Sequence, residues 1–542
     1  MLSTSAAPSP SSSAASASAA PRRWAAELWI PLGLLLIGAV AELVAILALN
    51  GGRLVYTLDD PYIHLAVAEE LARGGYGVNT GELSAPASSI LWPFLLAPLA
   101  RTALAGWVPL AYALASLAGA VLVIRRVAWG AFEGLPDGER GWAAGWAGAG
   151  ALMASGPFFL LFSGMEHPLQ LFLAALVTWG LIEEGRTGRA PGWLLGAVVL
   201  SPLVRYEGLA VAVPALLYLA LRRHLARAAA AALAVAAAMG GFTAWLLAHG
   251  LPPLPASVLV KGGALTYRPG LGTLARHAVL ENFNSIPGRT LALFALLLAA
   301  AALGRRRPRA ERLFAAYAGG CVALHLVLGR FGWMGRYEAY AWTVAVLALL
   351  HLYRAPLAAA AAGAGRARVT GAAAALLLVL SPRSLYSTLA TPRAANNIHV
   401  QHGQMHRFAT DYWRAPVAVN DLGRVAFRND AYVLDLWGLG SAEALRARFA
   451  GRGPAWMERM AAARGAELAM VYDAWFPELP PGWRRVGVLR FDTRLVTPAE
   501  REVAFYARGP RAAARADTLL RVFAPTLPPG ARIVFPAPGA AR

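Results

Sequence analysis

Two adjacent aspartates, Asp59 and Asp60, follow the first long apolar run of the chain, in the stretch "YTLDDPYIHLAV". Carboxylates beside hydrocarbon are costly, and function is the usual reason for keeping them there. Such a pair could take the proton of an attacking hydroxyl. Because Pro61 and a helical pattern follow, the alternative is a helix cap and a charge that complements the helix dipole. We expect a catalytic role for both aspartates.

His64 stands one helical turn after Asp60, so these two side chains could bind one divalent cation, Mg, Mn or Ca. The alternative interpretation of His64 is an ordinary side chain at the membrane interface. The spacing allows a metal site and leaves open whether the chemistry uses one.

Further charged residues occur in short motifs between apolar runs, "SGMEHP", "VRYEGL", "LPASVLVKGG" and "GRFGWMGRYEAY". Arginine or lysine could balance the charge of a leaving phosphate, and a glutamate could orient a substrate or bind a metal. Structural alternatives are a helix-hairpin end, a local ion pair, a loop lysine and a snorkelling arginine. The substrate-binding candidates are Glu166, Arg205, Glu207, Lys261, Arg330, Arg336 and Tyr337.

The composition indicates a polytopic membrane protein. The 542 residues are 57% hydrophobic and 15% charged, with a mean hydropathy of +0.48, whereas soluble domains are about 45–50% apolar. A net charge of +20 could suggest a nucleic-acid partner. We exclude that partner because the arginines lie in short loops between apolar runs, where they set membrane topology. The single cysteine, Cys321, excludes a disulfide or cysteine–metal framework.

The apolar runs predict an α-helical membrane domain over residues 24–382, with about eleven spans. Ser88–Ala100 is too short to cross and is expected to lie in the interface. The arginine-rich loops then share one side, which places the N-terminus in the cytoplasm and the C-terminus outside. The runs are 24–50, 107–124, 142–162, 168–183, 191–204, 208–221, 228–248, 288–303, 313–329, 338–353 and 369–382.

The acidic and mixed-charge motifs collect on the predicted outer side, in a first outer loop at 51–106 and a further loop at 249–287. A Ser/Ala/Pro-rich cytoplasmic tail, residues 1–23, is expected to be disordered. This division between outer motifs and inner arginine clusters predicts a cavity at the outer leaflet. We expect 191–204 and 208–221 to be two short helices that meet there.

Residues 383–542 predict an extracytoplasmic α/β domain. Short β-like runs such as "PVAVNDLGRVAF", "AYVLDLWGL" and "RRVGVLRF" alternate with helical stretches. Asp421 and Asp435 end such strands, where α/β sites gather, but we expect them to form turns. His399, His402 and His406 share one helical face, and we expect a surface stripe, with a metal cluster as the alternative.

The order "DDPYIH", "SSILWP", "SGMEHP", "VRYEGL", "LPASVLVKGG", "GRYEAY" resembles the GT-C superfamily of membrane glycosyltransferases, which use polyprenyl-phosphate sugars. The similarity is greatest to the bacterial arabinofuranosyltransferase and mannosyltransferase-like branch, and it covers residues 24 to about 350. It implies that Asp59 is the base, that Asp60 supports it or a divalent cation, and that Arg336 lies near the lipid phosphate. Tyr206 and His167 depart from the usual proline and threonine, which leaves the sugar and the acceptor open.

The sequence therefore predicts an inverting glycosyltransferase in a bacterial cytoplasmic (inner) membrane. Its expected partners are a polyprenyl-phosphate sugar donor and an extracytoplasmic glycan, lipid or protein acceptor. The chain has no glycine-rich nucleotide-binding loop, so no nucleotide cofactor is expected. The alternatives are a transporter or flippase of lipid-linked glycans and a non-catalytic membrane scaffold.

Overall fold

A computed structural model describes residues 26–262, 270–380, 382–451 and 453–536 of the protein, without the side chains of residues 261, 262 and 380. Most of the chain to residue 413 is helical. The α-helices in this part are α1 (Ala26–Leu49), α2 (Asp60–Leu71), α3 (Trp92–Leu96), α4 (Val108–Ala131), α5 (Asp137–Ala154), α6 (Pro157–Phe162), α7 (His167–Thr187), α8 (Gly192–Val204), α9 (Leu209–Leu221), α10 (Leu225–Ala248), α11 (Ala256–Gly262), α12 (Leu271–Arg276), α13 (Ile286–Leu303), α14 (Arg309–Leu328), α15 (Ala339–Leu352), α16 (Arg354–Ala361), α17 (Gly365–Leu380), α18 (Pro382–Val400) and α19 (His402–Arg407).

In the part of the chain that the structure describes, the apolar runs that the sequence predicts to span the membrane are mainly helical, although the run 142–162 is divided between α5 and α6 by a break at residues 155–156. Within the described residues, five helices are long and apolar enough to cross a membrane, and each of two bent pairs adds a further span if it counts as one. Helices α8 and α9 are shorter, with 13 residues each, and are joined by a turn at Arg205–Gly208. The protein is thus a polytopic membrane protein, and its orientation and the number of eleven spans remain predictions.

The first loop, residues 51–106, consists mainly of α2 and a run of short helical turns. Ser88–Ala100 contains only the five-residue helix α3 and a three-residue 3₁₀ turn, in keeping with a segment that does not cross. Helix α2 is buried along nearly its whole length. Other parts of the protein therefore surround α2, and little of the helix contacts solvent.

A six-stranded sheet follows the helical part, with strand order β2-β1-β3-β5-β4-β6. β1 pairs in parallel with β2 and β3, and the remaining pairs are antiparallel. The three parallel strands are buried and almost wholly apolar, as expected where both faces of a sheet are covered. The elements are β1 (Val417–Val419), α20 (Gly423–Ala426), β2 (Val433–Asp435), α21 (Ala442–Phe449), α22 (Ala455–Ala463), β3 (Leu468–Val471), β4 (Trp483–Phe491), β5 (Glu502–Arg508), α23 (Pro510–Phe523) and β6 (Ala531–Val534).

This α/β architecture confirms the predicted fold class. The run predicted as one long strand around residues 416–427 is a three-residue strand followed by the short helix α20. The difference has a local cause, because Gly423 and its neighbours turn back against the first loop. The bounds of the whole C-terminal domain stay a prediction.

One hydrophobic core joins the first loop to the sheet. It includes Tyr62 and Leu65 of α2 together with Val417 of β1 and Phe427 after α20, each buried. Loop and sheet therefore bury apolar surface against each other, which is the main favourable contribution to such an interface.

Asn79 of the first loop continues the sheet beyond its edge strand. Its amide donates to the Val433 carbonyl at 3.0 Å, and its side-chain oxygen accepts from the Val433 N–H at 2.8 Å. Asn79 and Val433 are both buried. Because β2 is an edge strand, the Asn79 side chain forms the two hydrogen bonds that a neighbouring strand would otherwise form with Val433.

We expect Asn79→Ala to destabilise the protein by about 2–4 kcal/mol, because a buried backbone group left without a partner costs about 1–3 kcal/mol. The readout is the midpoint of thermal unfolding of the purified protein in detergent. Asn284→Ala is the matched control, since Asn284 is exposed and hydrogen-bonds Arg289. Equal midpoints for the two variants would contradict this account of the interface.

Candidate active site

The Asp59 side chain binds the C-terminal domain. Its Oδ2 accepts the Gly423 N–H at 2.7 Å and its Oδ1 accepts the Arg424 N–H at 2.8 Å. Asp59 occupies the N-cap position of α2, but its side chain makes no capping hydrogen bond there. The helix-cap interpretation is therefore wrong for the Asp59 side chain. Its carboxylate instead accepts hydrogen bonds from the first backbone N–H groups of α20.

Gly423 is required by this close approach. A Cβ atom at position 423 would lie 2.2 Å from the Asp59 carbonyl oxygen and 2.8 Å from Asp59 Oδ2. The first of these is backbone, which cannot move aside as a flexible side chain can. The glycine in "NDLGR" thus allows two segments far apart in sequence to meet.

Asp59 lies beside two further polar groups of the C-terminal domain, His402 and Asp421. His402 is buried, and its Nε2 lies 3.0 Å from Asp421 Oδ2 and 3.3 Å from the Tyr472 hydroxyl. One ligand atom from each of Asp59, His402 and Asp421 lies within 4.8 Å of the others. The surface-stripe interpretation is therefore wrong for His402, and Asp421 does more than form a turn.

The electrostatics of this group follow from its burial. Burial raises the pKa of the Asp59 carboxyl to about 6, and Asp421 adds to the rise while His402 opposes it. Burial alone would lower the pKa of His402, but the neighbouring carboxylates of Asp59 and Asp421 outweigh that effect and raise it. The carboxylate of Asp59 and the imidazolium form of His402 therefore stabilise each other.

The donor set fits a divalent cation. Two carboxylates and one imidazole are ligands of Mn, Fe and Zn, whereas Mg and Ca prefer oxygen alone. His402 Nδ1 has no hydrogen-bond partner among the described residues, so the ring orientation rests on the Nε2 side. The residues that would hold the ion are Asp59, His402 and Asp421. The expectation that Asp60 and His64 share a metal remains a prediction.

Asp60 faces a different partner from Asp59. Its Oδ2 accepts from Arg336 Nη2 at 2.9 Å. Arg336 is buried, and the same Nη2 lies 2.9 Å from the Tyr337 hydroxyl. Nε and Nη1 of Arg336 have no partner among the described residues. Two donors of this buried guanidinium therefore lack hydrogen-bond acceptors, and an anion would supply them.

Buried Glu166 and Arg205 form a charged chain with half-buried Glu207. Arg205 Nη1 lies 2.6 Å from Glu166 Oε1, and Arg205 Nη2 lies 2.7 Å from Glu207 Oε1. Glu166 also accepts from Ser88 at 2.9 Å, and its Oε2 lies 3.7 Å from His64 Nε2. His64 is buried beside a carboxylate, so the ordinary interfacial interpretation of this histidine is wrong.

The ring of Tyr337 joins the two arginine sites. The Arg336 guanidinium carbon lies 4.8 Å from its centroid and that of Arg205 lies 5.8 Å away. Such cation–π contacts hold a guanidinium without using its N–H donors. The structure thus brings together seven of the predicted residues: Asp60, His64, Glu166, Arg205, Glu207, Arg336 and Tyr337.

Arg205 also borders a cavity of about 410 Å³. Glu207 and Arg330 line it with Arg205, and most of the remaining lining is apolar, including Val213 and Leu328. The last two side chains are more than half exposed on membrane helices. The cavity therefore combines charged lining with exposed apolar side chains.

The remaining predicted residues have different outcomes. Arg330 is exposed at the cavity, whereas Lys261 belongs to α11 and its side chain lies outside the described residues. Asp435 accepts the N–H groups of Trp437 and Gly440, which confirms its predicted turn. Sequence reasoning missed His402 and Asp421 as site residues, although Asp421 ends a strand edge at which α/β sites gather.

The chain is similar to one protein family and to several solved structures. Residues 393–506 match the family described as Domain of unknown function (DUF8728), and a search of curated sequences finds no match. The structure is similar to the oligosaccharyltransferase of Archaeoglobus fulgidus in complex with Zn and sulfate, at 12% identity and a TM-score of 0.43, over 92% of this chain and 74% of that chain.

A second similar structure is ArnT from Cupriavidus metallidurans in the apo state, at 14% identity and a TM-score of 0.44, over 90% of this chain and 98% of that chain. ArnT bound to undecaprenyl phosphate has a TM-score of 0.43 at 14% identity, over 88% of this chain and 98% of that chain. These TM-scores lie below 0.5, so the side chains described above are the basis for a function.

We expect Gly423→Ala to lower the midpoint of thermal unfolding, because overpacking of this kind costs about 1–3 kcal/mol. Gly482→Ala is the control: Gly482 lies in the same domain and a Cβ there would meet nothing within 4 Å. If both variants unfold at the temperature of the wild type, the close contact between Asp59 and α20 does not hold.

Proposed function

We propose that this protein is an inverting glycosyltransferase of the GT-C type. It transfers a sugar from a polyprenyl-phosphate donor to a hydroxyl of a glycan, lipid or protein acceptor. Its location is a bacterial cytoplasmic membrane, with the site on the outer face and the N-terminus in the cytoplasm. The resemblance in the sequence motifs and the side-chain arrangement at the interface support this proposal.

The observation that carries the proposal is the buried guanidinium of Arg336, which has two donors without partners. Asp60 supplies one negative charge beside it, but the unpaired Nε and Nη1 still require acceptors. A phosphate oxygen is a strong acceptor for such a fork. The donor phosphate would bind there and leave with its charge stabilised by Arg336.

The cavity next to Arg205 suits the lipid part of the donor. Its apolar lining and lipid-exposed entrance at Val213 and Leu328 would accept the first isoprene units. Its volume of about 410 Å³ lies within the roughly 300–1,000 Å³ of ligand pockets. The Tyr337 ring, which contacts both Arg205 and Arg336, would link this cavity to the phosphate position.

Asp59 is the proposed general base. It would accept the proton of the acceptor hydroxyl while the hydroxyl oxygen bonds the anomeric carbon, and the bond from that carbon to the phosphate oxygen would break towards phosphate. A pKa of about 6 makes Asp59 a stronger base than an ordinary aspartate, and still ionised at pH 7. Each carboxylate oxygen has a second lone pair, so the hydrogen bonds to α20 leave Asp59 able to act.

His402, oriented by Asp421, would stabilise the Asp59 carboxylate from the C-terminal domain. A divalent cation held by Asp59, His402 and Asp421 would require a neutral His402 and would supply Lewis-acid activation of the acceptor hydroxyl in place of proton acceptance by Asp59. The sheet domain then contributes directly to the site, and acceptor recognition by its surface is part of the same proposal.

We expect Asp59→Asn to reduce transfer by about 10²–10⁴-fold, because asparagine keeps the shape of the side chain but cannot accept the proton. Arg336→Gln should raise KM for the donor and also lower kcat, because Arg336 would both bind the phosphate and stabilise the charge that develops as it leaves. Asp60→Asn should mainly raise KM for the donor, since it disturbs the position of Arg336. Membranes carrying each variant are supplied with a panel of polyprenyl-phosphate sugars, with or without chelator. Asp411→Asn, at an exposed carboxylate of the same domain, is the control.

The polyprenyl-phosphate sugar from which transfer occurs would identify the transferred sugar. Loss of activity with chelator would show that the cation is required. Normal transfer by Asp59→Asn at equal expression would refute its role as base. Transfer from no donor by the wild type would refute the proposed function and favour a lipid-linked-glycan transporter.

A further inference from the structure

A second cavity, here the arginine cavity, has a volume of about 560 Å³ and lies between α4, α5, α7, α9, α14 and α15. Four arginines line it, Arg126, Arg140, Arg186 and Arg354, together with Trp129 and Trp179. It belongs to none of the groups described above and has no role in the proposed transfer.

The arginine cavity lies at the opposite end of the helical bundle from Asp59. Helix α4 starts beside the first loop, where the Tyr56 hydroxyl donates to the Gly106 carbonyl, and reaches the cavity at Arg126. Eighteen residues of helix separate Val108 from Arg126, which is about 27 Å. Helix α7 likewise starts beside Glu166 and borders the cavity near its far end.

Aromatic rings hold two of these arginines. The Arg126 guanidinium lies 4.9 Å from the Trp179 centroid, and Trp179 stacks on Trp193 at 4.7 Å with an interplanar angle of 17°. The Arg140 guanidinium lies 4.2 Å from the Trp129 centroid, and its Nε donates to the Trp129 carbonyl at 3.1 Å. Both cations are thus oriented without being neutralised.

The charges of the cavity do not balance. Arg186 pairs with Glu183 at 2.8 Å, and Arg354 pairs with Glu311 at 2.7 Å. Within the described ranges, neither Arg126 nor Arg140 forms an ion pair with a carboxylate. Three carboxylates, Glu133, Glu183 and Glu311, line the cavity with the four arginines, so it keeps an excess of one positive charge. The two guanidinium groups that form no ion pair lie on tryptophan faces.

Anionic lipid matches this chemistry. Basic pockets between membrane helices bind anionic lipid head groups, and tryptophan is enriched at head-group level. The planar guanidinium binds phosphate oxygens in pairs. Helices α4 and α14, which border the cavity, are among those long and apolar enough to cross a membrane, so lipid chains can lie alongside while the phosphate enters.

We propose that the arginine cavity binds the phosphodiester head group of an anionic phospholipid, in the leaflet opposite the site of Asp59. Arg126 and Arg140 contact the phosphate, and the acyl chains lie along the outside of the bundle. This inference does not depend on the proposed transferase activity.

The test uses the full chain in nanodiscs or detergent and phosphatidylglycerol as the probe. We expect Arg126→Gln with Arg140→Gln to weaken phosphatidylglycerol binding by about thirty-fold, the effect expected for removing two basic groups near a membrane surface. Native mass spectrometry counts bound lipid, and thermal unfolding with added lipid gives a second readout. The control combines Arg189→Gln with Arg305→Gln, which removes the same charge from exposed positions outside the cavity lining.

Supporting results are lipid bound to the wild type and to the control, and lost from the Arg126/Arg140 variant at an unchanged unfolding midpoint without lipid. Three results would overturn the proposal: equal binding by all variants, equal binding of phosphatidylcholine, or the same stabilisation by glycerol phosphate in solution. The last of these would indicate a site for a soluble phosphate.

Discussion

The two hydrogen bonds from the backbone of α20 to the Asp59 carboxylate hold the site together. They join positions 364 and 365 residues apart in the chain, and they fix a loop beside the first membrane helix to the sheet domain. A carboxylate that accepts backbone N–H groups is strongly oriented. The contact requires the glycine at position 423, and His402 lies beside it.

Burial gives the two adjacent aspartates different chemistry. Asp59 is enclosed between the loop and the domain, and its pKa rises to about 6 because water is removed and Asp421 lies nearby. Asp60 is paired with Arg336, so its charge is compensated by a cation in contact. These different environments are the basis for proposing Asp59 as the base and Asp60 as the residue that positions Arg336, because environment commonly separates the roles of two carboxylates.

Much of the fold could be predicted from the sequence because it depends on local pattern. Apolar runs become helices in hydrocarbon, and the β-branched segments around Val417 and Val433 form buried parallel strands. The pairing of Arg205 with Glu207 follows from their spacing within one turn. These features require no knowledge of distant contacts.

The composition of the site could be predicted only in part. Adjacent residues at the start of a helix point about 100° apart, so Asp59 and Asp60 need not share a partner, but the sequence does not say which partner each one meets. His402 and Asp421 reach Asp59 only through the packing of the sheet domain on the first loop. The sixth strand, β6, pairs with β4 across a long connection and also lacks a local signal.

The most direct test of a shared site is a double-mutant cycle between Asp59 and His402, read out as kcat/KM for transfer from the active donor. We expect Asp59→Asn and His402→Asn each to lower kcat/KM strongly, and the double variant to be no worse than the more impaired single variant. Residues that act as one unit behave in this non-additive way. Effects that multiply in the double variant, or full activity of His402→Asn, would contradict the claim that the loop and the domain form one active site.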